Sequence, residues 1–241
     1  YIAAFYGCHK DVTLRNHRFS APILFPALSA LSYVEHIDNV RGDHRSYAAF
    51  FGGGAEQLFG KKRARKYDAV LKLVQDTFMS DKMRIYTSKD VKGVELGGAL
   101  KNIIAFCAGV AAGIGLGDNS FAALVTRGLG EIARLGVKLG GEKETFYGLS
   151  GLGDLIVTCL SEHSRNRKAG KLIGQGKTLE EAKKEVGMVI ESIDNIDVAY
   201  ELGKKNDVYM PIIETVYKVI YEGLEPAEAV KNLMTRDKKS E

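Results

Sequence analysis

Residues 96–117, LGGALKNIIAFCAGVAAGIGLG, carry a single charged side chain, Lys101, among six glycines and many small or aliphatic residues. The stretch is long enough to cross a membrane. Its glycines and the adjacent polar pair Lys101 and Asn102 argue against a membrane span, and the other predicted helices are amphipathic and charged. We therefore predict that this segment is a helix buried in the core of the protein.

Helical periodicity dominates the sequence after residue 90. No proline interrupts the chain between residues 27 and 210, so long helices are permitted there. Apolar residues at helical spacing, separated by glycine-rich turns and polar caps, predict helices over 93–112, 119–140, 144–161, 178–186, 190–204, 211–222 and 226–235. Residues 91–241 are therefore predicted to form an all-α domain.

The first 90 residues have a different pattern. MRIYTS at 83–88 alternates as a strand does, and YDAVLKLVQDTFMS at 67–80 predicts an amphipathic helix. Residues 1–65 show no firm pattern, although four of the five histidines lie within the first 44 residues without the spacing of a metal site. The sequence thus divides into an α/β part, 1–90, and an all-α part, 91–241.

Charge is distributed unevenly between these parts. Residues 1–90 hold 14 Lys and Arg against 9 Asp and Glu, whereas residues 91–241 hold 20 against 21. The basic excess includes KKRARK at 61–66, a run that is more typical of a solvated face than of a nucleic-acid site. We therefore expect no nucleic-acid partner.

The cysteines favour a reducing compartment. There are three, Cys8, Cys107 and Cys159, and they lack the spacing of a metal site. Cys107 and Cys159 lie in apolar segments and are predicted to be core thiols. With no recognisable secretory signal at the start of the sequence, this usage predicts a cytoplasmic protein.

Two glycine motifs resemble nucleotide-binding loops but lack their context. GLGEIA at 128–133 fits a loose Gly-x-Gly-x-x-Ala pattern, yet it continues a helical periodicity instead of following a strand. GKLIGQGKT at 170–178 is one residue too long for a phosphate loop, and no buried strand precedes it. We interpret both motifs as structural.

Lys101 is the first candidate for chemistry. On a helix, Gly97, Ala105 and Ala108 share its side, and such small residues leave room for a backbone or a ligand. A lysine that is desolvated in this way can exchange a proton near neutral pH. The spacing is equally consistent with a structural lysine whose head reaches water or pairs with an acid.

A second polar cluster lies in GLSGLGDLIVTCLSEHSRNR, residues 148–167. Its glycines predict a tight turn, after which Asp154 begins a helix and can cap exposed amides. Thr158 follows four residues later on the same face. The run SRN at 164–166 adds a hydroxyl, a guanidinium and an amide, which together suit a phosphate. A helix cap followed by a solvated basic turn would explain the same residues.

Five segments together resemble bacterial NAD(P)-dependent glycerol-3-phosphate dehydrogenases: VELGGALKNIIAFCAGV, GLGDNSFAALVTRGLGEIARLG, TFYGLSGLGDLIVTC, SRNRKAG and MPIIETVYKVIYEG. The resemblance runs from about residue 70 to the C-terminus. It implies an incomplete or divergent Rossmann-like part, 1–90, followed by an all-α substrate domain of the 6-phosphogluconate dehydrogenase C-terminal type, 91–241. It also implies interconversion of dihydroxyacetone phosphate and sn-glycerol 3-phosphate with NAD or NADP, for glycerophospholipid synthesis.

The resemblance implies roles for individual residues. Lys101 takes the position of the family's proton donor and acceptor. The substrate site would comprise Lys101, Asn102, Asp154, Thr158, Ser164, Arg165 and Asn166, of which the last three would hold the phosphate. The cofactor would contact Arg165, Val189 and Glu191, next to which Ser192 stands where the family has glycine. No metal is implied, and the apolar helices are compatible with a homodimer.

The start of the chain departs from the family pattern. The family opens with a strand and a Gly-x-Gly-x-x-Gly turn that holds the pyrophosphate at a helix N-terminus. No such turn occurs in residues 1–65, which are expected not to match the family. An alternative interpretation is therefore a non-catalytic helical domain, truncated or rearranged, that binds a phosphorylated triose or a protein partner without turnover.

Overall fold

The structure, a computed structural model, describes residues 2–6, 11–14, 17–20, 68–80 and 83–236. The chain separates into two compact units, Tyr1–Val91 and Lys92–Glu241. Several features of the sequence lie outside the described residues, among them Cys8, the basic run at 61–66 and most of the histidine-rich segment.

The first unit contains strands and one helix among its described residues. They are β1 (Ile2–Tyr6), β2 (Asp11–Leu14), β3 (His17–Ser20), α1 (68–78) and β4 (Met83–Thr87). The predicted helix at 67–80 and strand at 83–88 are confirmed. Strand β1 pairs with β4 and β2 pairs with β3, both antiparallel. Because a Rossmann sheet is mostly parallel, these pairs do not by themselves establish one, and the Rossmann-like part stays a prediction.

The second unit is helical throughout its described residues. Its helices are α2 (Val91–Ile114), α3 (Asp118–Lys138), α4 (Lys143–Tyr147), α5 (Asp154–Leu160), α6 (Arg165–Gly174), α7 (Leu179–Val186), α8 (Glu191–Lys205), α9 (Pro211–Tyr221) and α10 (Pro226–Met234). A single π-helical turn, Leu149–Gly153, joins α4 to α5. The prediction of an all-α part is therefore confirmed for the described residues after 91.

Helix α2 is the core of this unit. It is apolar and long enough to cross a membrane, and it is the one such helix among the described residues. However, 67% of its most apolar window is buried inside the protein, and the side chains of Ile103, Ile104 and Phe106 are completely buried. The predicted core helix is confirmed, because neighbouring helices cover its apolar surface.

Helix α6 crosses α2 at backbone contact. A Cβ atom added to Gly109 of α2 would lie 2.1 Å from the carbonyl oxygen of Arg167, and one added to Gly170 of α6 would lie 2.0 Å from that of Phe106. These separations leave no space for any side chain, so only glycine permits the crossing. The crossing fixes the position of the first turn of α6 relative to α2.

Two helix predictions need correction. Helix α6 was not predicted, because Gly170 and Gly174 weaken its helical pattern and its first turn is highly basic. The single helix predicted over 144–161 is divided by the π-helical turn, where Gly151 packs so tightly that a Cβ would lie 2.1 Å from the carbonyl oxygen of Phe146. The tight turn predicted from the glycines before Asp154 is therefore present, as this π-helical turn, whereas the continuous helix predicted over the same residues is wrong.

Helix ends follow the sequence signals more closely. Thr178 and Glu181 form a reciprocal capping box at the start of α7, and the side chain of Glu225 accepts a hydrogen bond from the Ala227 amide at the start of α10. Both glycine motifs prove structural, since GLGEIA lies within α3 and the first five residues of GKLIGQGKT end α6.

Glu131, within the GLGEIA motif, caps a distant helix. Its carboxylate accepts hydrogen bonds from the backbone amides of Ile212, at 2.8 Å, and Ile213, at 3.0 Å, in the first turn of α9. The residue is only 1% exposed. Burial, partly offset by these hydrogen bonds and by Arg134 and Arg236, raises the pKa of Glu131 to about 7.

Candidate active site

Lys101 and Asp154 form the centre of the candidate site. Lys101 lies midway along α2 and is 8% exposed, and its Nζ donates to Oδ2 of Asp154 in an ion pair. This arrangement combines features of both interpretations left open by the sequence: the lysine is buried, as expected of a proton donor, and it pairs with an acid, as expected of a structural lysine. Asp154 is the first residue of α5, as predicted, but the N-cap position is Gly153, and the Asp154 carboxylate accepts from Lys101.

Close packing at Gly97 brings these two residues together. A Cβ atom on Gly97 would lie 3.2 Å from the carbonyl oxygen of Ser150, so the π-helical turn approaches α2 one helical turn before Lys101. Helix α5 starts directly after this turn and delivers Asp154 beside Lys101. The small residue on the lysine face therefore accommodates a backbone, as its size suggested.

Thr158 lies on the Asp154 face of α5. Its hydroxyl donates to the backbone carbonyl of Asp154 at 2.7 Å, and its Oγ1 lies 3.5 Å from Oδ1 of the same residue. The spacing of four residues therefore places a hydroxyl beside the carboxylate that holds Lys101.

Glu191, at the first turn of α8, joins two other candidate residues. Its Oε2 accepts a hydrogen bond of 2.9 Å from Nδ2 of Asn102, and its Oε1 accepts one of 3.2 Å from Nη2 of Arg165. Asn102 is 6% exposed, whereas the Arg165 and Glu191 side chains are partly open to solvent. One carboxylate thus connects α2, next to Lys101, with the first turn of α6.

The first turn of α6 is held by its own cap and by α8. Ser164 is the N-cap residue, and its Oγ accepts from the Arg167 amide at 3.3 Å. Asn166 is 7% exposed, and its Oδ1 accepts from the backbone amide of Ser192 at 2.9 Å. Ser164, Arg165 and Asn166 consequently share one helix N-terminus, where backbone amides favour an anion.

Ser192 carries the only buried side-chain polar atom without a hydrogen-bond partner that is found in the described part of the chain, its Oγ. The residue is completely buried. Since the resembling family has glycine at this position, the serine adds a hydroxyl to a space that offers it no partner. Its backbone still makes the bond to Asn166, so the local geometry of α8 is retained.

Val189 does not join the hydrogen-bonded group. It lies just before α8 with 68% of its surface exposed, next to the similarly exposed Met188. The hydrogen bonds form three sets, one of Lys101, Asp154 and Thr158, one of Asn102, Glu191 and Arg165, and one of Asn166 with Ser192. Ser164 caps the helix that carries Arg165 and Asn166, and Val189 is an exposed apolar neighbour.

The thiols nearby are core residues, as predicted. Cys107 and Cys159 are both free and buried. Burial raises the pKa of Cys159 to about 12, although the positive charges of Lys101 and Arg167 act in the opposite direction. Neither thiol is therefore suited to act as a thiolate nucleophile. The described residues include no group of three or more His, Cys, Asp or Glu that could hold a metal ion.

The structure adds one supporting residue that sequence reasoning missed. Asn195 of α8 donates through Nδ2 to the backbone carbonyl of Ala99 in α2, at 3.0 Å. Asn195 lies four residues after Glu191 on α8, and Ala99 lies three residues before Asn102 on α2. Both spacings are about one helical turn, so two hydrogen bonds join the same faces of α2 and α8. The four-residue spacing from Glu191 was the available signal that Asn195 shares its helix face. A hydrogen bond from a side chain to a backbone carbonyl has no sequence motif, so its acceptor could not be predicted.

The comparisons with known proteins identify the helical part. The family model "NAD-dependent glycerol-3-phosphate dehydrogenase C-terminus" matches residues 90–231. Glycerol-3-phosphate dehydrogenase [NAD(P)+] of Clostridium perfringens strain SM101 is 63% identical over 168 residues, which cover 70% of this chain and 51% of the relative. The crystal structure of glycerol-3-phosphate dehydrogenase from Coxiella burnetii is similar with a TM-score of 0.67 at 40% identity, covering 70% of this chain and 52% of that one.

The chain spans about half the length of such relatives. A longer match, to the enzyme of the same name from Staphylococcus haemolyticus, is 50% identical over 211 residues and covers 85% of this chain and 64% of the relative. Residues 66–241 make up less than three quarters of the chain, so this match includes part of residues 1–65. The expectation that those residues do not match the family is therefore wrong for part of the segment, because it relied on the missing glycine turn.

Proposed function

The chain belongs to the NAD-dependent glycerol-3-phosphate dehydrogenase family through its helical domain, and we propose that it interconverts dihydroxyacetone phosphate and sn-glycerol 3-phosphate with NAD or NADP. The observation that carries the proposal is the ion pair of the buried Lys101 with Asp154, in a domain that also has a helix N-terminus presenting Arg165 and Asn166. Nothing among the described residues favours the alternative, a non-catalytic helical domain that binds a phosphorylated triose or a protein partner without turnover.

Lys101 supplies the proton in this proposal. Reduction of the carbonyl group needs a hydride at carbon and a proton at oxygen, and an alkoxide that forms beside Lys101 takes the proton from Nζ. Asp154 fixes the ammonium in place through Oδ2. The lysine side chain is 10% exposed and that of Asp154 is 27% exposed. Water therefore reaches the carboxylate of Asp154 more readily than the Lys101 amine, and a proton returns from water to Lys101 through Asp154.

The phosphate is assigned to the first turn of α6. Ser164, Arg165 and Asn166 lie where exposed backbone amides and the helix dipole favour an anion. The Arg165 guanidinium has further N–H donors besides the one given to Glu191. The four charged side chains, Lys101, Asp154, Arg165 and Glu191, sum to zero, so a substrate dianion would be recognised by this directed group of donors and not by net charge.

The residues fit a nicotinamide cofactor in their chemistry. Arg165 and Glu191 offer a charged donor and acceptor, and the exposed Val189 lies two residues before Glu191 as an apolar contact. When bound, the nicotinamide supplies or accepts the hydride at the substrate carbon. Arg165, Val189 and Glu191 would hold the nicotinamide end of the cofactor. NAD and NADP both fit the proposal.

The wider role follows from the reaction. The product, sn-glycerol 3-phosphate, would serve glycerophospholipid synthesis, and the protein would act in the cytoplasm, without a metal ion, as a homodimer. The long apolar helix α2 is compatible with this location, because most of its apolar surface is buried within the protein.

The test is a direct assay of turnover with the full chain. Oxidation of NADH and of NADPH is followed by absorbance after addition of dihydroxyacetone phosphate, with unphosphorylated dihydroxyacetone as the control substrate. We expect turnover that depends on the phosphate group. Failure of both nucleotides to be oxidised, by folded protein that also shows no affinity for sn-glycerol 3-phosphate, would contradict the proposal.

A further inference from the structure

We infer that Glu191 is a positioning residue that couples the phosphate-binding end of the site to the proton-transfer end, by orienting Arg165 and Asn102 through one carboxylate. The inference rests on the proposed function and goes beyond a cofactor contact for this residue. Its basis is the pair of hydrogen bonds that the two carboxylate oxygens accept, one from each partner.

The partners belong to the two functional ends. Asn102 follows Lys101 in α2, and its amide is almost completely removed from water, so its Nδ2 depends on Glu191 as the acceptor. Arg165 begins α6, whose N-terminus is assigned to the phosphate. Since each oxygen serves a different partner, rotation of the carboxylate toward one partner changes the geometry offered to the other.

The backbone at Glu191 is anchored on several sides, so it can act as a fixed point. The Ser192 amide donates to Asn166, at 2.9 Å. The Tyr221 hydroxyl donates to the carbonyl of Ile193, also at 2.9 Å. Further along α8, Asn195 is bonded to α2. A residue on a rigid element holds its partners more accurately than one on a loop.

The ion pair itself contributes little to stability. Side chains of Arg165 and Glu191 are 39% and 52% exposed, and water and salt weaken such a pair. The effect of Glu191 is therefore mainly geometric: its two hydrogen bonds restrict rotation of the Arg165 guanidinium and of the Asn102 amide before a ligand binds. Preorganised donors of this kind are what lower a reaction barrier.

The decisive variant is Glu191→Gln, because an amide can accept from only one of the two donors. Glu180→Gln is the matched control: it removes the same charge from an exposed residue whose ion-pair partner within the described part of the chain is Lys183, on the same helix, α7. The probe is inorganic phosphate, whose small size limits it to the phosphate-binding end of the site, at the first turn of α6. Binding is measured by calorimetry, with chloride at equal ionic strength as the reference.

The readout is the side-chain amide resonance of Asn102 in a heteronuclear spectrum of the full chain, identified by its loss in Asn102→Ala. Phosphate should shift this resonance in the unmodified protein and in Glu180→Gln. In Glu191→Gln, phosphate should still bind, within about fivefold of the original affinity, but the Asn102 resonance should no longer respond. An equal response in Glu191→Gln and the unmodified protein would overturn the inference alone.

Turnover gives the second readout. Glu191→Gln should lower kcat by roughly 10- to 100-fold, as misplacement of a positioned group does, with a smaller change in KM for dihydroxyacetone phosphate. In an Asn102→Ala background, Glu191→Gln should lower kcat far less, because Glu191 has already lost Asn102 as a hydrogen-bond partner. Full additivity of the two substitutions would contradict the coupling. Absence of any phosphate binding by the unmodified protein would instead overturn both the coupling and the proposed phosphate site.

Discussion

Nζ of Lys101 donates to Oδ2 of Asp154 across 53 residues of chain. The pair explains how a charged side chain is accommodated in the most apolar segment of the sequence: an unpaired ammonium there would be strongly unfavourable. The counter-charge comes from α5, which the packing of Gly97 brings against α2. A buried cation with a partly exposed carboxylate beside it is an arrangement from which a proton can be delivered and restored.

Replacement of Arg165 by alanine should mainly impair recognition of the phosphorylated substrate. A guanidinium that forks onto a phosphate makes charge-assisted hydrogen bonds that alanine cannot replace, so kcat/KM should fall by an equivalent of about 2–4 kcal/mol. Initial rates with dihydroxyacetone phosphate and with dihydroxyacetone check this. If the ratio of the two rates is the same in the variant, Arg165 is not the phosphate ligand.

Alanine at Gly109 or Gly170 should destabilise the second unit strongly. The added methyl group would lie 2.1 Å or 2.0 Å from a carbonyl oxygen of the opposite helix, and the helices can only separate, at about 3 kcal/mol or more. Gly98 is the control, because it lies in the same helix with nothing within 4 Å. Gly98→Ala should stabilise by about 0.5–1 kcal/mol. Urea unfolding measures all three, and equal effects at Gly98 and Gly109 would contradict the backbone contact.

Stability should depend on pH through Glu131. Desolvation raises the pKa of this carboxyl group to about 7 from the ordinary value of 4.5, so the folded state binds a proton more tightly than the unfolded state. Its contribution to stability is therefore fully present below about pH 4.5 and is lost as the pH rises through about 7, with a span on the order of 1–3 kcal/mol.

Glu131→Gln provides the comparison, since glutamine does not titrate and still offers one oxygen to α9. The difference in unfolding free energy between the unmodified protein and this variant should change between pH 5 and pH 8, roughly, in the direction given above. A difference that is constant over this interval would show that Glu131 does not titrate there.

Ser192→Ala should stabilise the protein by about 1 kcal/mol, because a buried hydroxyl without a partner is unfavourable and alanine favours a helix. Ser192→Thr should do the opposite, since it adds a methyl group to a completely buried position. Thermal unfolding of both variants checks the pair. A loss of stability in Ser192→Ala would mean that the hydroxyl has a partner.

The sequence was sufficient for much of the helical unit. Apolar periodicity predicted α2, α3 and α7 to α10 to within a few residues, and the capping box at Thr178 marked the start of α7. Lys101 was identifiable as the one charge in the apolar segment 96–117, which is a local property of the chain. What could not be predicted from the residues alone was its partner, because the Lys101–Asp154 contact depends on how α5 packs on α2.

Helix α6 shows the limit most clearly. Gly170 and Gly174 reduce the intrinsic helical tendency of this segment, and the helix is stabilised by its contact with α2, which is tertiary information. For the same reason the family resemblance implied a cofactor contact for Glu191 but gave no sign that it joins Asn102 to Arg165. Spacing within one helix follows directly from the sequence, whereas hydrogen bonds that join three helices can be predicted only when the arrangement of those helices is known.

The most direct test of the account is the reduction of dihydroxyacetone phosphate by Lys101→Met, measured with NADH and NADPH beside the unmodified protein. Methionine fills the lysine's space, so the variant should fold and bind NADH or NADPH as the unmodified protein does. Loss of the proton donor should lower kcat by roughly 10²- to 10⁴-fold, whereas Lys183→Met, at an exposed position of α7, should behave as the unmodified protein does. A Lys101→Met protein that turns over at the unmodified rate would contradict the assignment of Lys101 as the proton donor.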